Sequence, residues 1–192
     1  ATDEDNGLVM AVLELALHGS FTKLLHQADS EARAAILGAG QLPGATQTVW
    51  RFLREVAAGL AYLHRKSVTH GDLKPANILL HEDLSAKLSD FGLARVRRTA
   101  GSATRATQHT GAGTAGYMSP ELVLAQTGPT PASDIFAFAV VATELLSGAA
   151  PFPETENPVA VGMLVVQGRR PAVVPEAPAA AAELLQGCMA AE

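Results

Sequence analysis

The hydrophobic positions along the chain predict more helix than strand. The longest regular stripe covers residues 49–63, where apolar side chains recur at intervals of three and four. That spacing gives a helix of about five turns one apolar face, and we expect the helix to end near His64. The same reasoning, together with turn and capping signals, predicts shorter helices over residues 21–26, 120–125, 132–147, 159–167 and 180–190.

Strands are predicted from short apolar runs that lie between turn signals. Residues 7–15 form one such run, and we expect a buried strand there. Residues 77–80 and 86–91, joined by the polar sequence HEDLS, predict a small hairpin. Residues 95–113 are rich in Thr, Ser, Gly, Ala and Arg and have no apolar periodicity, which predicts a long loop.

Composition narrows the class of protein. The 192 residues are 48% hydrophobic and 17% charged, enough to bury a core in one domain or most of one. A net charge of -5 argues against general nucleic-acid binding, although residues 95–105 include four arginines. The single cysteine excludes an intrachain disulfide and a cysteine-rich metal site. The most apolar segment, residues 134–148, is shorter than a membrane span of about 20 residues, so we expect no membrane segment.

The chemistry of the chain is concentrated in the sequence HGDLKPANILL, residues 70–80, between the long helix and the hairpin. Asp72, Asn77 and Asp90 supply hard oxygen ligands, and Lys74 supplies a point charge. Two Mg²⁺ ions on the phosphates of a nucleotide need such oxygen ligands, and an aspartate can orient an acceptor hydroxyl and take its proton. The strand after Asn77 would hold that residue rigid, and the hairpin would bring Asp90 back beside it.

Four sequence segments, in this order, carry a resemblance to a known family. They are HGDLKPANILL at residues 70–80, LSDFGLAR at 88–95, GTAGYMSPE at 113–121 and DIFAFAVVATELLSGAAPF at 134–152. They resemble the catalytic loop, the metal-binding loop, the end of the activation segment and the central buried helix of the eukaryotic protein kinases. The sequence DLKPAN resembles the serine/threonine kinases, and the whole chain is nearest the tyrosine-kinase-like group among them.

The resemblance implies a protein-kinase-like α+β fold. We expect residues 1–192 to be a partial protein kinase domain: a mostly α-helical C-terminal lobe with a short β-hairpin, running from the hinge strand through the last helices. The N-terminal lobe would be missing, because no glycine-rich phosphate loop or strand lysine precedes the hinge. The extreme C-terminal part of the domain would also be missing, because the chain stops before the arginine that in this family pairs with the glutamate at the position of Glu121. The implied activity of the full-length parent is transfer of the ATP γ-phosphate to protein Ser/Thr hydroxyls, with an intracellular, cytoplasmic location. The isolated fragment is expected to be inactive.

The resemblance also assigns catalytic roles to single residues. Asp72 would orient the substrate hydroxyl, and Lys74 would contact ATP at the transferred phosphoryl group. Asn77 and Asp90 would hold Mg²⁺. Thr114 would reach toward Asp72 and Lys74.

Further assignments concern the adenine site and the scaffold. Leu13 to Ala16 resemble the hinge, where the backbone of Glu14 and Ala16 would meet adenine. Leu79 would form the floor beneath the ring. Asp134, at the start of the buried helix, would hydrogen-bond the backbone of the catalytic loop.

Gly71 is the main departure from the family pattern, which usually has arginine at this position. That arginine pairs with a phosphate on the activation segment, so we expect phosphorylation of this chain not to switch activity by that route. Gly71 also strengthens a likeness to aminoglycoside and choline kinases, which have an HGD…N loop but lack DFGLAR followed by GTAGYMSPE. A catalytically inactive pseudokinase that serves as a binding module is the other alternative, and the retained polar residues of the site argue against it.

Overall fold

The computed structural model describes residues 2–3, 8–9, 14–27, 47–90, 95–96, 115–173 and 177–190. This part of the chain contains five α-helices: α1 (Gln47–Arg65), α2 (Pro120–Val123), α3 (Pro131–Ser147), α4 (Pro158–Val166) and α5 (Ala179–Cys188). Single helical turns lie at Lys23–Gln27, Pro75–Asn77 and Ala115–Tyr117. None of the helices described is long and apolar enough to cross a lipid bilayer.

The strands are short and antiparallel. They are β1 (Thr2–Asp3), β2 (Leu8–Val9), β3 (Gly19–Ser20), β4 (Val68–Thr69), β5 (Ile78–Leu80), β6 (Ala86–Leu88) and β7 (Arg95–Val96). Strand β1 pairs with β2, and β4 pairs with β7. Strand β5 lies between β3 and β6 in a three-stranded sheet. The hairpin predicted from the sequence is therefore present, and β3 extends it.

Helix α1 confirms the prediction from the apolar stripe. Its buried side chains are Val49, Phe52, Leu53, Val56 and Leu60, which lie on one face as their spacing requires. The rings of Phe21 and Phe52 pack with their centroids 5.4 Å apart, which joins the residues just before the turn at Lys23–Gln27 to the core. The predicted end near His64 is correct to within one residue.

Helix α3 lies at the centre of the core, where it packs against α1 and α5. Thr130 and Ser133 form a capping box: the Ser133 N–H donates to Thr130 Oγ1 at 3.1 Å, and the Thr130 N–H donates to Ser133 Oγ at 2.9 Å. Gly148 ends the helix with a φ of 69°, a left-handed conformation that glycine adopts without strain. Because α3 is buried around most of its circumference, its two buried acids must find partners inside the protein.

The predicted strand over residues 7–15 is wrong at its end. Only Leu8–Val9 is a strand among the described residues of this run, and Glu14 and Leu15 have no regular structure. Leu15 is 75% exposed. An apolar run becomes a strand only where another strand satisfies its backbone, and no described strand pairs with residues 14–15.

The predicted loop over residues 95–113 also needs correction at its start. Arg95–Val96 pairs with Val68–Thr69 in register, with Val96 opposite Val68. Val68, Thr69 and Val96 are β-branched residues, which favour a strand. The polar composition of the residues that follow led to the prediction of a loop instead. Residues 97–113 lie outside the described residues.

Candidate active site

Asp134, in the first turn of α3, holds the catalytic loop by its backbone. Its Oδ2 accepts a hydrogen bond from the His70 N–H at 2.8 Å, and its Oδ1 accepts one from the Gly71 N–H at 2.9 Å. The ring atom Nε2 of His64, near the end of α1, lies 2.8 Å from Oδ2. The expected bond from Asp134 to the catalytic-loop backbone is thus confirmed, and this carboxylate joins α1, α3 and the loop.

His70 connects the two halves of the site. Its ring is fully buried; the Asp72 N–H donates to Nδ1 at 3.3 Å, and Nε2 lies 3.1 Å from the Ser89 carbonyl oxygen. Burial lowers the pKa of His70, against a smaller opposing effect of Asp134. A neutral ring with its hydrogen on Nε2 makes both contacts at once. His70 therefore links the loop that carries Asp72 to the segment that leads to Asp90, as a scaffold residue.

Gly71 has a φ of 81°, in the left-handed region that a residue with a Cβ adopts only with strain. This conformation turns the Gly71 N–H toward Asp134. Glycine, which replaces the arginine usual in the family at this position, is therefore the residue that this backbone conformation favours.

Two donors converge on one oxygen of Asp72. Lys74 Nζ lies 2.7 Å from Asp72 Oδ2, and Asn77 Nδ2 donates to the same oxygen at 3.1 Å. Asn77 Nδ2 also donates to the Asp72 carbonyl at 2.8 Å. The helical turn Pro75–Asn77 brings these groups together, since the Asn77 N–H closes it on the Lys74 carbonyl at 2.9 Å. The local sequence DLKPAN therefore builds a compact polar cluster.

The hairpin brings Asp90 to the same end of the sheet as Asn77. The Ser89 N–H donates to the Asn77 carbonyl at 2.9 Å, and Asp90 follows directly with its side chain exposed and a φ of 57°. Asn77 is buried and commits Nδ2 to Asp72, while none of the described residues donates to its Oδ1.

This donor set fits Mg²⁺ on a nucleotide. Within the described ranges, no three His, Cys, Asp or Glu side chains form a group that could hold a metal ion. Mg²⁺ bound to a nucleotide takes one or two protein oxygens and completes its shell with phosphate and water. One amide oxygen from Asn77 and one carboxylate from Asp90 meet that requirement without a protein cage.

The predicted hinge residues lie beside the hairpin. The carboxylate of Glu14 contacts His81 Nδ1 and Lys87 Nζ, each at 2.9 Å, and the hydrogen bond from Lys87 is the largest influence that lowers the pKa of Glu14. The Ala16 carbonyl accepts the Gly19 N–H at 3.1 Å. This turn leads into β3, whose Ser20 lies opposite Leu79. The segment is therefore tied to the hairpin.

Two predicted site residues, Leu13 and Thr114, lie outside the described residues. The contacts of Glu14 with the hairpin were not predicted, because 67 positions separate it from His81 and no spacing pattern relates them.

A second polar cluster, which was not predicted from the sequence, surrounds Glu144 near the other end of α3. Glu144 Oε1 lies 2.7 Å from His26 Nε2, and the hydroxyl of Tyr117 donates to Oε2 at 2.6 Å. Burial and the neighbouring carboxylate raise the pKa of Tyr117. The sequence feature that could have predicted this cluster is the glutamate itself, because an acid in an otherwise apolar buried helix needs a polar partner.

Comparison with known proteins identifies the family. The profile of the protein kinase domain matches residues 2–191. This chain belongs to the protein kinase family. The predicted resemblance and the kinase-like α+β fold are therefore confirmed.

The relatives are serine/threonine and receptor kinases. The chain is 31% identical over 180 residues to the mitogen-activated protein kinase kinase kinase zak-1 of Caenorhabditis elegans, covering 92% of this chain and 23% of that protein. It is 36% identical over 143 residues to the serine/threonine-protein kinase STY17 of Arabidopsis thaliana, covering 74% and 24%. It is 43% identical over 106 residues to the lectin-domain containing receptor kinase VI.3 of the same plant, covering 53% and 15%. The chain thus spans less than a quarter of the length of each.

Proposed function

We propose that this domain transfers the γ-phosphate of ATP to serine and threonine hydroxyls of protein substrates. The observation that carries the proposal is the convergence of Lys74 and Asn77 on Asp72 Oδ2, at 2.7 and 3.1 Å. No described residue donates to Asp72 Oδ1, so that oxygen can accept a hydrogen bond from a substrate hydroxyl. The names of the relatives zak-1 and STY17 support the choice of a protein kinase reaction.

The chemistry follows from the roles of these side chains. Asp72 orients the acceptor hydroxyl and takes its proton as the hydroxyl oxygen bonds to the γ-phosphorus and the bond to the bridging oxygen of ADP breaks. Lys74 holds a positive charge beside the transferred group, where it stabilises the negative charge of the transition state. Asn77 fixes the position of Asp72 through two hydrogen bonds from one amide nitrogen.

Asn77 and Asp90 are the residues that would hold Mg²⁺. The ion would neutralise charge on the phosphates. The committed Nδ2 of Asn77 supports this assignment, because it leaves Oδ1 as the atom available for a metal.

The nucleotide-binding roles complete the proposal. The backbone of residues 13–16, at Glu14 and Ala16, would meet adenine, and Leu79 would lie beneath the ring. The pairing of β3 with β5 supports this, since the His18 N–H donates to the Leu80 carbonyl at 3.2 Å and keeps the segment beside Leu79. Thr114 would reach Asp72 and Lys74.

Residues 1–192 would form the larger lobe of the kinase domain. Because the reaction consumes ATP, we propose a cytoplasmic site of action.

The test is phosphate transfer from labelled ATP to a generic protein substrate by the longest natural polypeptide that contains this domain. Asp72→Ala is expected to lower the rate by about 10²–10⁴-fold, the usual contribution of a positioned general base. The matched control is Asp83→Ala, which removes an exposed aspartate of the hairpin loop outside the site. Equal rates in Asp72→Ala and the unmodified protein would reject the role of Asp72. Label on choline or an aminoglycoside but not on protein would favour a small-molecule kinase instead.

A further inference from the structure

A groove opens beside the catalytic cluster and adjoins Lys74. Its volume is about 710 Å³, within the range of about 300–1,000 Å³ typical of ligand sites. Pro151, Phe152 and Val161 contribute apolar walls, and the turn at Ala115–Tyr117 forms another side. Lys74 is one of the lining residues and its Nζ lies 2.7 Å from Asp72 Oδ2, so the groove adjoins the place where the acceptor residue of a substrate would sit.

Glu144 is a buried acid in the groove lining, and both of its oxygens have partners. It is 1% exposed, with His26 Nε2 at 2.7 Å from Oε1 and the Tyr117 hydroxyl at 2.6 Å from Oε2. An ionised carboxylate only accepts hydrogen bonds, so the ring carries its hydrogen on Nε2 in this pair. The groove therefore presents a covered acid to anything that enters it.

Of the two side chains that cover the Glu144 carboxylate, His26 is the one that a substitution can remove with less disturbance of the fold. Its side chain is 39% exposed and comes from the turn Lys23–Gln27, whereas Tyr117 is partly buried beside the groove. Without the ring, Oε1 of Glu144 would face the groove and could accept a charge-assisted hydrogen bond from a cation. The identity of residue 26 thus decides which chemistry the groove presents.

We propose that His26 determines substrate specificity: by covering Glu144 it makes the groove a site for an apolar side chain of the protein substrate, near the phosphorylated residue. This inference rests on the proposed kinase function, which places the acceptor hydroxyl at Asp72. An extended substrate advances by about 3.3 Å per residue, so the groove takes a side chain within a few positions of the acceptor.

Glu156 is the other acid in the groove lining, and it differs from Glu144 in exposure. Its side chain is exposed at the rim, where a solvated carboxylate contributes little to an ion pair. It therefore provides a matched control for the effect of acidic charge near the groove.

The experiment uses labelled serine peptides of otherwise alanine and glycine residues, with leucine or arginine at each of four positions on either side of the serine. Their affinities for the longest natural polypeptide that contains this domain are measured by fluorescence anisotropy without ATP, and kcat/KM is measured with ATP. At one position or more, the unmodified protein is expected to favour leucine over arginine by about tenfold, a usual discrimination for one side chain in an apolar pocket.

Three variants test the residue. His26→Ala is expected to shift the leucine-to-arginine ratio toward arginine by about tenfold, because the buried carboxylate becomes accessible. His26→Gln is expected to keep the ratio of the unmodified protein, because its amide can donate to Glu144. Glu156→Gln is expected to keep that ratio as well.

An unchanged ratio in His26→Ala overturns the proposal, as does an equal shift in Glu156→Gln. A preference for arginine in the unmodified protein, or binding of no peptide, also overturns it. Because affinity is measured without ATP, the expected shift without any phosphate transfer would leave the specificity role intact and reject the kinase reaction instead.

Discussion

Helix α3 carries a buried acid near each end, and the two acids have different kinds of partners. Asp134 is 2% exposed and Glu144 is 1% exposed, and each contacts a histidine ring from another element at 2.8 or 2.7 Å. Asp134 also accepts two backbone N–H groups from the catalytic loop. Among the described residues, the carboxylate of Glu144 has hydrogen bonds only with side chains, those of His26 and Tyr117.

The different partners of Asp134 and Glu144 suit the two acids to different roles, one in holding the fold and one in substrate specificity. Backbone N–H groups are present whatever the side chain, so the acid that binds them fixes the path of the chain at Asp134. Side-chain donors can be exchanged by a single substitution, so the chemistry presented around Glu144 can change while the fold remains. The same helix therefore supports a constant catalytic loop at one end and an adjustable groove at the other.

The largest expected effect is that of Asp134→Ala. It leaves the buried N–H group of His70 and the partly buried N–H group of Gly71 without their acceptor, and we expect a loss of about 3–5 kcal/mol in the free energy of unfolding. Urea denaturation followed by circular dichroism measures this. Asp134→Asn keeps one acceptor oxygen, so its free energy of unfolding should lie between those of the unmodified protein and Asp134→Ala. If Asp134→Ala were no less stable than Asp134→Asn, the architectural role of the carboxylate would be wrong.

Tyr117→Phe tests the other end of the helix and should have a smaller effect. Glu144 Oε2 loses its hydroxyl donor, which we expect to lower the free energy of unfolding by about 1–3 kcal/mol. The control is Tyr62→Phe, since Tyr62 is 56% exposed on α1 and a surface change of this kind stays within about 0.5 kcal/mol. Equal losses in the two variants, by the same denaturation assay, would mean that the bond to Glu144 does not stabilise the fold.

The sequence predicts one end of α3 better than the other. The capping signals at Thr130 and Ser133 are local, and the contact of Asp134 with the catalytic loop follows from the family pattern. The partners of Glu144 could not be predicted, because His26 lies 118 positions away and no periodicity links the two.

Periodicity also explains which elements were predicted. Helix α1 was predicted almost to the residue because its stripe is local and long. The strand at Arg95–Val96 was missed because it is decided by pairing with the distant segment Val68–Thr69. The strand predicted up to Leu15 was too long, because an apolar run alone does not show where a partner strand stops.

A pH effect of intermediate size is expected on the Asp134 side, through His70. Burial holds the pKa of His70 below its ordinary value of 6.5, so on acidification the unfolded chain binds a proton that the folded protein resists. The stability contribution is complete above pH 6.5 and is lost as pH falls below it, by up to about 1.4 kcal/mol per pH unit.

The measurement for this effect is urea denaturation of the unmodified protein and of His70→Phe at pH 7.5 and pH 5.5. His70→Phe is expected to lose less stability between the two pH values, because its ring does not titrate and the other groups titrate in both proteins. An identical loss in the two proteins would show that His70 does not contribute to the pH dependence.

The smallest expected effects on stability are those of replacing His64 and His26, the two histidines that contact Asp134 and Glu144. His64→Ala removes a side chain that is 19% exposed, and we expect a loss of about 1 kcal/mol in the free energy of unfolding, as for an ordinary hydrogen bond. His26→Ala should lose about 0.5 kcal/mol, because water in the groove can replace the ring as a donor to Glu144. Thermal or urea denaturation of the two variants gives the order. If His26→Ala lost more than His64→Ala, the Glu144 end would be as architectural as the Asp134 end, and exchange of residue 26 could not adjust the groove without weakening the fold.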